Sequence, residues 1–127
     1  MNPETQHTLT VTSQENAGIT VVKMKGSLAA TTAEQGNKEM KRILDAGAKK
    51  LILNLAEVDY ISSGGIRVIM LTSKLLNAVQ GEMKLSSAKG MVKEALQASG
   101  FDLLSRVYGG NLQLCSTDEE ALASFKS

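Results

Sequence analysis

The chain has one cysteine, one histidine and no tryptophan among its 127 residues. Cys115 therefore has no partner for an intramolecular disulfide, and with His7 alone it cannot build a Cys/His zinc set. A reducing compartment, the cytoplasm, is the expected setting. Charge of one sign is also lacking: 14 Lys and Arg against 13 Asp and Glu leave a formal net charge of +1. The aromatics are four scattered residues, Tyr60, Phe101, Tyr108 and Phe125. A nucleic-acid surface normally shows a basic excess or stacking rings, so no nucleic-acid partner is expected. No apolar run approaches the roughly 20 residues that cross a bilayer, and residues 1–7 have neither the basic region nor the apolar core of a secretion signal, so no membrane insertion is expected. With a single proline, 43% apolar and 21% charged residues, the composition is globular rather than disordered. A chain of 127 residues suits one domain that buries roughly two-thirds of its unfolded surface.

What is present is an alternation of short apolar runs and helical periods. Residues 1–7 carry the proline and read as a flexible tail, with one domain over 8–127. Two β-rich stretches, 8–13 and 19–24, flank a turn at Glu15-Asn16-Ala17-Gly18 and predict a hairpin. Thr31-Thr32-Ala33-Glu34 has the form of a capping box and predicts a helix that Gly47 ends. Leu51-Ile52-Leu53-Asn54-Leu55 is nearly continuous in apolar residues, as buried parallel strands are. A second helix is expected from Gly64 to about Val79, with one apolar stripe through Ile66, Ile69, Met70 and Leu76 and another through Val68, Leu71, Leu75 and Val79. The first stripe suits a sheet; the second suits a neighbouring helix or a partner. A strand over 82–86, a helix over 89–98 closed by Ser99-Gly100, a strand around 112–115 and a helix opened by Thr117-Asp118-Glu119-Glu120 complete the chain. The order implies an α/β domain with a mixed, mostly parallel sheet and helices packed against it.

No catalytic constellation accompanies this pattern, and no enzyme or cofactor is expected. Serine nucleophiles need a base, and His7 in the tail is the sole imidazole. Neither a phosphate-cradling glycine loop nor a dinucleotide fingerprint is present. The closely spaced carboxylates, Glu57 with Asp59 and Asp118 through Glu120, read as loop charge and as favourable helix-start placement.

The distinctive segment is Ser62-Ser63-Gly64-Gly65, where an apolar strand hands over to an apolar helix. A serine at that point can cap the helix, or it can carry a phosphate that the first-turn N–H groups and the helix dipole stabilise. The two glycines cost helix stability and leave room for another protein to approach.

Residues 51–69, with Val58-Asp59-Tyr60-Ile61-Ser62-Ser63-Gly64-Gly65-Ile66 at their centre, resemble the signature of STAS domains, the family of bacterial anti-sigma factor antagonists. Gly26-Ser27-Leu28 with Ala30-Thr31 resembles the family's turn before the first helix, and Ser99-Gly100-Phe101 with Glu119-Glu120-Ala121-Leu122 resembles its C-terminal part. The resemblance implies partner switching. The unmodified protein binds an anti-sigma factor that is also a serine-protein kinase, phosphorylation of the signature serine ends that binding, and a PP2C-type phosphatase restores it. By motif position the phosphoacceptor is Ser63, and Thr31, Ser62, Ser63, Gly64, Gly65 and Arg67 form the partner-binding surface. Ala29, Asn54 and Ser62 stand where aspartate is common in the family. The alternative on the same fold is a constitutive adaptor subunit of a transporter or signalling scaffold, with Ser63 serving only as a helix cap.

Overall fold

A computed structural model describes residues 8–107 and 112–125. The tail expected over residues 1–7 lies outside them. The chain opens with a hairpin of β1 (Leu9–Asn16) and β2 (Ile19–Leu28), joined by Ala17 and Gly18. Both turn residues have positive φ, 56° and 84°, as a primed hairpin turn requires to match the twist of its strands. Then follow α1 (Ala33–Asp45), β3 (Lys50–Ile61), α2 (Ser63–Ala78), β4 (Glu82–Ser86), α3 (Gly90–Ser99), α4 (Phe101–Val107), β5 (Gln113–Cys115) and α5 (Asp118–Ser124).

The five strands lie in chain order, with β1 antiparallel at one edge and β2 through β5 parallel. The mixed, mostly parallel sheet is therefore as the sequence implies. Because each crossover moves one strand along in the same direction, right-handed connections stack α1, α2 and the α3–α4 pair on one face. That face holds the main core, where Val22, Met24, Leu51, Leu53, Leu55, Val68, Ile69, Leu76, Leu85 and Leu96 meet. Alternate residues of the same strands point the other way. There Ile52 and Cys115 meet Ala121 and Phe125 of α5 in a second, smaller cluster.

Three differences from the expected elements have physical causes. The strand expected to end near Leu55 runs on to Ile61, because Val58 and Ile61 are buried and pair with Gly26 and Leu28 of β2. Register shifts between Lys23 and Lys25 and between Gly26 and Ser27 hide this extension by breaking the two-residue alternation. The expected capping box at α1 does not form. Thr32 occupies the cap position without a side-chain cap bond; its Oγ1 accepts from Ala29 N at 3.0 Å and donates to Ser27 O at 2.8 Å, tying the β2–α1 turn instead. Finally, α4 was not expected from the sequence: it is seven residues long and leaves Leu103, Leu104 and Val107 exposed, so it has no clean apolar stripe.

Candidate functional site at the start of the second helix

The handover from β3 to α2 is fixed by backbone contacts. Ser62, in extended conformation at φ −118° and ψ 179°, holds the N-cap position; its N–H donates to Leu28 O at 3.1 Å, and its carbonyl accepts from Ile66 N at 2.9 Å. The N–H groups of Ser63, Gly64 and Gly65 precede that first helical bond, so they and the helix dipole give the turn partial positive character. There is no acidic residue in the first turn to offset it.

The two glycines have a reason inside the chain. A Cβ on Gly65 would overlap the carbonyl oxygen of Leu28, and one on Gly64 would lie 2.9 Å from Ala30 Cα. Small residues thus let α2 start directly against the β2–α1 turn. Gly65 is buried in this contact and Gly64 is half-buried, directly beside the exposed Ser63. Their part is to hold the serines rigidly.

The serines differ from each other. Ser62 is half-buried, and its Oγ is enclosed without a hydrogen-bond partner. Ser63 is the first helical residue, exposed, and its hydroxyl makes no hydrogen bond among the described residues. Neither side chain caps the helix, so the reading of Ser63 as a cap is corrected: the cap position belongs to Ser62, and Ser63 projects outward. Thr31 is exposed on the turn whose Ala30 touches Gly64, and Arg67 is exposed one helical turn beyond Ser63. Thr31, Ser62, Ser63 and Arg67 therefore share one region. Sequence reasoning missed the Leu28 carbonyl and Ala30, which shape it; the signal was the matching of two runs of small residues, Ala29-Ala30 and Gly64-Gly65.

Ser63 lies on an open surface and lines neither of two large clefts. One, of about 1050 Å³, is bordered by Lys93, Phe101, Arg106, Gln113 and Glu120; the other, of about 590 Å³, lies at the opposite end of the sheet near Gly18, Arg42 and Lys50. Among the described residues no group of three or more His, Cys, Asp and Glu is placed to hold a metal, and no helix is long and apolar enough to cross a membrane. Burial pushes the Cys115 thiol above its ordinary pKa; Glu120 adds to the rise, while Lys84 and a hydrogen bond with Ser124 oppose it.

The family model for the STAS domain matches residues 10–121, nearly all of this architecture. The chain is a STAS domain. It is 34% identical over 110 residues to BtrV of Bordetella bronchiseptica, which bears the name of an anti-sigma factor antagonist; the match spans 87% of this chain and 89% of that one. The STAS fold recurs in an anti-sigma factor antagonist from Mycobacterium paratuberculosis, with a TM-score of 0.80, 19% identity and coverage of 94% of this chain and 96% of that one. It recurs also in the phosphorylated form of the Bacillus cell fate determinant SpoIIAA, with a TM-score of 0.65, 19% identity and coverage of 92% and 100%. The structure gives Asn54 a distinct role. Its Nδ2 donates to both carboxylate oxygens of Asp118 at 3.0 Å, and Ser86 Oγ donates to the same carboxylate at 2.5 Å, so an aspartate at position 54 would face another aspartate.

Proposed function

We propose that this STAS domain is an anti-sigma factor antagonist whose partner binding is switched at Ser63. Unphosphorylated, it binds an anti-sigma factor that is also a serine-protein kinase; phosphorylated at Ser63, it releases that partner, and a PP2C-type phosphatase resets it. The protein works in the cytoplasm and performs no catalysis itself. The observation that carries this reading is Ser63 itself: exposed and unbonded at the first position of a helix whose start is locked against Leu28 and Ala30. A kinase can reach that hydroxyl without unfolding anything. A phosphate there adds about −1.5 to −2 charge beside three unpaired N–H groups, so the fold tolerates it while the surface presented to a partner reverses character.

The names of the curated relatives support the same reading, and the SpoIIAA likeness is to a chain solved with phosphate in place. The adaptor alternative gave Ser63 the role of helix cap, and the favoured reading draws support from Ser62 holding that position instead. The test is affinity capture from native cytoplasm with wild type and Ser63→Asp as parallel baits. Recovery of a kinase-type anti-sigma factor by wild type alone is expected; equal recovery of the same partners by both baits contradicts the switch.

A further inference from the structure

The outer side of α2 carries one continuous row. Ser63, Arg67, Leu71, Leu75 and, at the C-cap, Val79 follow one another at intervals of four, and all five are exposed. The three aliphatic members are 41%, 43% and 45% exposed although apolar. On the inner side of the helix Val68 meets Gly36 of α1: a Cβ there would lie 3.4 Å from Val68 Cγ1. Neither the sheet nor α1 covers the row. Of the stripe that the sequence left open between a neighbouring helix and a partner, Val68 is buried in the core, and Leu71, Leu75 and Val79 face outward.

A row spaced by four is a ridge, and ridges of this kind pack into the groove of another α-helix. The charge of the surface narrows the choice of helix. No residue of α2 is acidic, Arg67 is exposed, and among the described residues it has neither an ion pair nor a hydrogen bond. Lys74 is exposed on the same helix. A second copy would set one acid-free helix against another, which like charges oppose. We propose that the ridge from Ser63 to Val79 is the docking seam for an acidic amphipathic helix of the partner, Leu71, Leu75 and Val79 receiving its apolar face and Arg67 pairing with one of its carboxylates. This rests on the partner-switch reading for what opens and closes the seam. It also supplies the coupling. A phosphate on Ser63 stands four residues from Arg67, the spacing at which opposite charges on a helix pair. It takes Arg67 into a contact within the chain and opposes the incoming carboxylates.

The test places a photo-crosslinking residue at Leu75, in wild type and in Ser63→Asp, with a control at Thr12 on β1, and exposes each to native cytoplasm. Linked peptides are sequenced by mass spectrometry. The expected product from Leu75 is a segment with acidic residues and an apolar face at helical spacing, lost in Ser63→Asp. With the linked protein purified, Leu75→Ser and Arg67→Gln each weaken binding at least about tenfold without lowering the melting temperature, as central interface residues do. A link to a second copy, a segment lacking that pattern, linkage from Thr12 only, or unchanged affinity in both variants overturns the seam. The two readings fail separately. Linkage of an acidic helix at Leu75 in both wild type and Ser63→Asp leaves the seam and refutes the switch, whereas a kinase released by Ser63→Asp but never linked at Leu75 leaves the switch and refutes the seam.

Discussion

The helices α2 and α5 each follow a strand with a hydroxyl residue at the cap position, and they are finished in opposite ways. At α5, Thr117 Oγ1 accepts from Glu120 N at 3.0 Å, Glu120 Oε1 accepts from Ser116 N, and Asp118 takes hydrogen bonds from Asn54 and Ser86. The side chains of Thr117, Asp118 and Glu120 there all find hydrogen-bond partners within the chain. At α2, Ser62 makes no cap bond, Ser63 is unbonded, and no carboxylate stands in the first turn. The difference separates a start that fastens α5 to the sheet from a start held in place by backbone packing alone, whose chemistry is left for something outside the chain.

The sharpest way to break the comparison is to remove what holds α2. Gly65→Ala drives a methyl into the Leu28 carbonyl, and a loss of about 3–4 kcal/mol is expected in denaturant unfolding, well beyond the ~1 kcal/mol typical of point changes. Next comes the fastening of α5. Asn54→Asp replaces a donor with a second carboxylate beside Asp118 and should cost about 2–3 kcal/mol in denaturant unfolding at neutral pH. The two caps can then be compared directly. Thr117→Ala is expected to lose ~1 kcal/mol, while Ser62→Ala, which removes an unpartnered buried hydroxyl, should change the melting temperature little or raise it. Equal losses from the two changes would show that the starts do not differ. The smallest effect concerns Cys115. Its raised pKa means that folding favours the neutral thiol, so this contribution is intact below pH ~8.5 and fades as pH rises through the higher folded value; Cys115→Ala should flatten the alkaline limb of the stability curve.

How far the sequence could be read follows the same division. Strands with uninterrupted apolar runs, such as Leu51 to Leu55, and helices with a clean period were legible because burial writes them directly. The hairpin was legible from Gly18. The extension of β3 to Ile61 was not, since two bulges in β3 itself, each adding a residue opposite β2, break the alternation that would mark it. The position of Ser63 in the chain was legible from the family motif, but its state was not. Whether a hydroxyl caps a helix depends on where its rotamer points, and the surroundings of this helix start include Leu28 and Ala30, more than thirty residues earlier. The latch between Asn54 and Asp118 joins residues 64 apart and left no local trace.

A switch at Ser63 must change partner binding on a surface that stays folded. Its most direct test is calorimetric titration of the purified anti-sigma kinase with this domain, carrying either serine or enzymatically installed phosphoserine at position 63, alongside the melting temperature of each form. Phosphoserine is expected to weaken binding by at least about a hundredfold, the order of a lost interface hot spot, with melting unchanged or slightly raised by the helix dipole. Equal affinity of the two forms, or a phosphorylated form that melts much earlier, would contradict it.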